Sequence, residues 1–237
     1  MPDNKKKFYL GGYYLTKLQT QKSGSGANRL VYTCSECIND NLVDTWAYSW
    51  IIDNDKQVQD AKENFQLSDI QVNSIRTWVD SKHKEKKLGW VNVFADLQTA
   101  LEYRNKFFTH LNEIKVMALY FDETERRGIL EEFKPQSENM EKIGLGVTLL
   151  NSVMEDKNEV FLGFDYIGIE TDGSFHTFHC HDIGKELSDK FQLTLNDFGL
   201  FDSDDKSEQV LDYLNDEKNG CEPVPWFIAK TKIVMNK

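Results

Sequence analysis

The sequence predicts an α+β fold with a mixed or mainly antiparallel sheet, and three observations carry that prediction. Early in the chain Thr45 to Ile52 alternates as a half-buried strand does, with Trp46, Tyr48, Trp50 and Ile52 on one side. Helical patterns fill the middle. Toward the C-terminus Val160 to Asp182, VFLGFDYIGIETDGSFHTFHCHD, reads as a β-hairpin closed by Asp172-Gly173, a dipeptide that favours a type I′ turn. An N-terminal β-meander, central helices and a C-terminal hairpin fit an α+β order better than a regular parallel sheet.

Phe8 to Leu18 reads as the first strand, with Gly11 and Gly12 inside it, and Gln21 to Ala27 as a flexible loop. Arg29 to Ile38 is a second β-prone run, and Asn39 to Asn41 turns the chain into the Thr45 strand, which completes a three-stranded meander. Val58, Ala61 and Phe65 share one face of a short helix. Ser68 and Gln71 have capping-box spacing ahead of the stripe Val72, Ile75, Trp78 and Val79. The basic run Lys82 to Lys87 suits the negative pole of that helix, and Gly89 supplies a stop.

Trp90 to Phe94 is a short strand, and Asp96 opens a helix bearing Leu97, Ala100, Leu101, Arg104, Phe107 and Phe108. Ile114 to Phe121, IKVMALYF, is almost continuously apolar, as a central strand buried on both faces must be. Glu123 to Phe133 is helical and ends before Pro135. Ser137 caps a further helix whose inner face carries Met140, Ile143, Val147, Leu150 and Met154. After the hairpin come a short helix at Ile183 to Phe191 and a turn at Asn196 to Gly199. Asp205 and Glu208 cap a helix with Val210, Leu211 and Leu214 that stops near Gly220. Pro223-Val224-Pro225 then leads into a final strand, Trp226 to Val234. The chain reads as a single domain, 1–237; KPQSEN at 134–139 is the best place for a subdivision into 1–134 and 139–237.

Composition excludes several classes. With 237 residues, 40% of them hydrophobic and 12% aromatic, the chain is neither disordered nor short of core material. No apolar run has the length of a membrane span, and MPDNKKKFYLGGYYL lacks a signal-peptide cleavage pattern, so a cytoplasmic location is expected. Four cysteines are too few for a disulfide scaffold. The net charge of −11 is unevenly placed: from Asn151 onward there are 18 acidic and 8 basic side chains, against 21 and 20 before it. Such a C-terminal field repels nucleic acid and anionic membrane and favours a basic protein partner.

The candidate chemistry centres on the hairpin. A two-residue turn at Asp172-Gly173 pairs Ile169 with His176, Tyr166 with His179 and Phe164 with His181. His179 and His181 then share a face, with Cβ atoms roughly 7 Å apart, and could converge on one divalent metal with Asp182 or Asp165 as a third ligand. The competing expectation, which weighs more, is a half-buried aromatic face whose imidazoles are hydrogen-bonded. Cys34 and Cys37 form a CxxC, but the second half of a zinc site is missing. Gly144 and Gly146 lack the third glycine of a dinucleotide loop, Asp202 to Asp205 lacks the EF-hand pattern, and no catalytic signature is present. Two functions follow. The favoured one is a binding or inhibitor-type protein, with an immunity protein that neutralises a basic toxin as its concrete form. Its contact residues would be Asp202, Asp204, Asp205, Glu208, Asp212 and Trp226. The alternative is a metal-dependent hydrolase built on His179 and His181; otherwise no cofactor is expected.

Overall fold

The structure, a computed structural model, describes residues 6–20, 28–29, 59, 62–63, 65–85, 87, 93–133, 144–170, 175–181 and 183–235. Its strands in chain order are β1 (Phe8–Lys17), β2 (Gln19–Thr20), β3 (Asn28–Arg29), β4 (Ile114–Asp122), β5 (Val160–Ile169), β6 (Phe175–Thr177) and β7 (Trp226–Ile233). Its principal helices are α1 (Asp69–Lys84), α2 (Leu97–Phe107), α3 (Glu123–Glu132), α4 (Gly144–Leu150), α5 (Gly184–Phe191) and α6 (Ser207–Leu214). One sheet has five strands in the order β1-β4-β7-β5-β6, with every pairing antiparallel, and β2 and β3 form a small separate pair. The α+β class is as expected, but β1 pairs with β4 rather than with the next strand in sequence. Most of the anticipated meander, including Trp46 and Trp50, lies outside the described residues, as do Cys34, Cys37, Ser137 and the Asp172-Gly173 turn.

The sheet curls. In a flat sheet β1 and β6 would stand roughly 19 Å apart, four steps of about 4.8 Å. Yet Tyr14 of β1 and Phe175 of β6 meet edge to face with ring centroids 5.8 Å apart. Two β-bulges help bend it, one between Leu10 and Gly12 and one between Phe161 and Gly163. At both bulges glycine is required. Gly12 has φ +150 and its Cβ would lie 2.0 Å from Val93; Gly163 has φ +154 and its Cβ would lie 2.5 Å from Leu200.

Residues paired across antiparallel strands share a face, so the register sorts the side chains. The concave face carries Tyr14, Met117, Leu119, Thr231, Asp165 and Phe175; the convex face carries Tyr13, Ala118, Tyr120, Lys230, Lys232 and Phe164. Beneath α1 and α2 the β1–β4 half of the convex face forms an aromatic core. There Trp78 stacks on Tyr103 at 5.0 Å, and its indole N–H donates to Glu102 at 2.7 Å. At α1 and α2 the helix starts are as expected: Ser68 and Gln71 exchange hydrogen bonds, and Asp96 accepts from the Thr99 N–H. β4 is buried along both faces, as its apolar run requires.

Two expectations are corrected. The α4 helix ends at Leu150, where Ser152 takes a positive φ, so it buries Leu145 and Leu149 while Leu150 and Met154 stay exposed. Met154 instead bridges to Tyr9 along the outer edge of β1. The N-cap of α6 is Lys206, with no side-chain hydrogen bond, so Asp205 and Glu208 do not cap it, and Glu208 lies within its first turn.

Candidate functional site

In the hairpin the observed pairs are Ile167 with Thr177, Gly168 with His176 and Ile169 with Phe175, one residue out of the expected register. That slip moves His176 to the other face, where it is 5% exposed and its Nε2 lies 3.0 Å from Glu170. The strand then stops. Phe178–His181 forms a 3-10 turn in which Thr177 Oγ1 accepts from the His179 N–H at 3.0 Å. At three residues per turn, positions i and i+2 point in different directions. His179 stacks on Phe178 at 4.1 Å, while His181 leans toward Trp226, ring centroids 5.9 Å apart. Asp182 lies outside the described residues. Asp165 sits on the concave face, opposite to His176 by register. Among the described residues no three His, Cys, Asp or Glu side chains are grouped so as to hold a metal ion.

The acidic residues fare differently. Asp202, Asp205, Glu208 and Asp212 are exposed. Glu208 and Asp212 are one helical turn apart on the outside of α6, whose inner face buries Val210 and Leu214. Asp204 is partly neutralised by Lys6, whose Nζ lies 2.6 Å from its carboxylate. Trp226 is not a surface aromatic: it is 2% exposed, and its indole N–H donates to the Glu222 carbonyl at 3.1 Å. Register places it on the convex face of β7, where it joins the core that includes Phe164, Tyr166, Val210 and Leu214.

Two polar clusters were not anticipated as clusters, although Asp165 of the second was a candidate metal ligand. On the convex face Lys230 lies 2.7 Å and Lys232 3.1 Å from the Glu155 carboxylate, and Lys232 is 4.0 Å from Glu159. Lys232 also donates to the Asp156 carbonyl. Burial opposes ionisation of Glu155, but the hydrogen bonds from Lys230 and Lys232 outweigh it and hold its carboxyl below the ordinary range. Glu159, 8% exposed, is pushed the other way, chiefly by burial, with the Tyr120 hydroxyl and Lys232 only partly compensating. Burial and then Glu159 push the Tyr13 hydroxyl up to about 12.

Beside this cluster, at the end of the sheet away from α6, α2 and the two chain segments flanking Val160 and Ile233 enclose a cavity of about 590 Å³. On the concave face Asp165 is 1% exposed, and burial raises its carboxyl well above the ordinary range. Its neighbour is the Tyr14 hydroxyl, which in turn faces Thr231. A usable signal existed for the first cluster: Lys230 and Lys232 recur at the strand period in a run otherwise read as core. An aspartate inside VFLGFDYIGI was the signal for the second.

No helix among the described residues is long and apolar enough to cross a membrane. Comparison with known proteins adds no relative: no protein family, curated protein or solved structure matches the chain.

Proposed function

We propose that this protein is a binding protein that captures a basic protein partner on the acidic surface of α6 and the segment before it, in the manner of an inhibitor that neutralises a toxin. The observation that supports this reading best is the arrangement of α6: Glu208 and Asp212 project outward together, with Asp202 and Asp205 exposed ahead of them. Like charges so placed create a field that steers an oppositely charged surface and speeds encounter. The metal-dependent hydrolase is the weaker reading, because His179 and His181 occupy a 3-10 turn and face different neighbours.

The test is capture of basic proteins at low salt from the cells that make this chain, repeated with Glu208→Lys/Asp212→Lys. Unaltered protein should retain a basic partner whose association slows steeply as salt rises. The reversed variant should associate at least about tenfold more slowly with an unchanged circular dichroism spectrum. Equal capture by both proteins would remove α6 as the surface, and no capture of any basic protein would remove the reading.

A further inference from the structure

The cavity beside Glu159 lies apart from the acidic face of α6 and has the size of a small-molecule site, about 590 Å³. One wall is aliphatic. Leu97 and Leu101 stand one turn apart on α2 and are joined by Val234 and Met235, and Met235 is 58% exposed. The opposite wall is acidic, formed by the Asp156–Glu159 segment.

The cation on the lining, Arg104, is held in place by two neutral acceptors. Its Nε donates to the Ile114 carbonyl at 3.3 Å and its Nη1 to Asn105 at 3.0 Å. Among the described residues Asp156 accepts from its own loop, from the N–H and side-chain amide of Asn158 at 2.8 and 2.9 Å. Glu159 forms the inner wall. Its side chain is 4% exposed, and the Tyr120 and Tyr13 hydroxyls face its carboxylate without a hydrogen bond of full geometry. The nearest lysine, Lys232, stands 4.0 Å away and is committed to Glu155 and the Asp156 carbonyl. A carboxylate closed off from water and faced by tyrosine hydroxyls rather than by a close cation is costly, and a cation brought near it is felt at low dielectric.

We infer that this cavity binds a small organic cation, a primary amine on an aliphatic body, with its ammonium against the Asp156–Glu159 wall and its chain along Leu97, Leu101 and Met235. The two walls select jointly. The body alone gains only apolar burial, and an anion meets two carboxylates against the single charge of Arg104.

The experiment titrates hexylamine, hexanol and hexanoate into the full chain at pH 8, following backbone and methyl resonances by NMR. Hexylamine should shift Leu101, Val234 and Met235 and bind about tenfold or more tightly than hexanol, and hexanoate should not bind. Glu159→Gln should erase the advantage of the amine over the alcohol. Leu101→Arg, a change at a half-buried position that places a cation in the groove, should abolish amine binding; it decides the matter alone if Glu159→Gln fails to fold. The proposal is overturned if hexanol binds as well as hexylamine, if the shifts map elsewhere, or if a folded Glu159→Gln retains the full preference. Glu208→Lys/Asp212→Lys should leave amine binding intact, so the two sites stand or fall separately.

Discussion

On the convex face of the sheet two lysines of β7 meet Glu155 and Glu159; on the concave face Asp165 of β5 lies beside the Tyr14 hydroxyl, with no cation paired to it among the described residues. Both clusters bury charge-bearing groups in the same sheet, one strand apart. In the first, opposite charges offset desolvation and the carboxylate of Glu155 stays ionised. In the second a hydrogen bond with the Tyr166 backbone offsets it only in part, and the carboxyl is driven toward its neutral form. Glu155 and Asp165 therefore respond to pH in opposite senses, while Glu159, raised by burial, goes the way of Asp165. Glu155, with its folded pKa below the ordinary 4.5, contributes stability above that value and loses it as pH falls through the folded pKa. Asp165, with its folded pKa above the ordinary 3.8, contributes fully below that value and loses its contribution as pH rises toward the folded pKa.

The largest effect should come from breaking the paired cluster. Lys232→Met leaves two acids to Lys230 alone and should cost about 3–5 kcal/mol in urea unfolding at pH 7. A loss below about 1 kcal/mol would mean that the ion pairs are incidental. Next comes the unpaired acid. Asp165→Asn should gain on the unaltered protein as pH climbs from 4 to 8, reaching about 2 kcal/mol, the scale of a buried polar group left unsatisfied. Parallel stability curves for the two proteins would show that Asp165 does not change ionisation on folding. Glu155→Gln should cost about 1 kcal/mol at pH 7, since a quarter of its side chain is open to water, and the gap should close below pH 4. Smallest is Tyr14→Phe, about 0.5 kcal/mol, because the hydroxyl and its desolvation cost leave together.

The parts of the fold legible in the sequence are those in which one local rule suffices. β4 was readable because a strand covered on both faces has to be apolar throughout, and the starts of α1 and α2 because Ser68, Gln71 and Asp96 act on their own helix ends. The hairpin register was not readable. From Leu162 to Ile169 every position of β5 is buried, so hydrophobic alternation cannot choose between two pairings one residue apart. The histidines were misplaced for a related reason: Thr177 diverts the strand into a turn through a hydroxyl contact to the His179 N–H. Trp226 was misjudged because neighbouring acids suggest a surface, whereas β7 lies between two other strands. The Glu155–Lys232 cluster and the cavity depend on segments more than seventy residues apart, which periodicity cannot bring together.

The position of β7 governs how the chain must mature. The latest of these strands to be synthesised is inserted between β4 and β5. Until it emerges, the growing chain holds two strand edges that have no mate, one on each side of an empty lane, and such edges recruit strands from other chains. The sheet can close only by non-local pairing after translation has reached β7, which is slow and exposed to misassembly. A nascent chain stalled ahead of Trp226 should need a chaperone to remain dispersed.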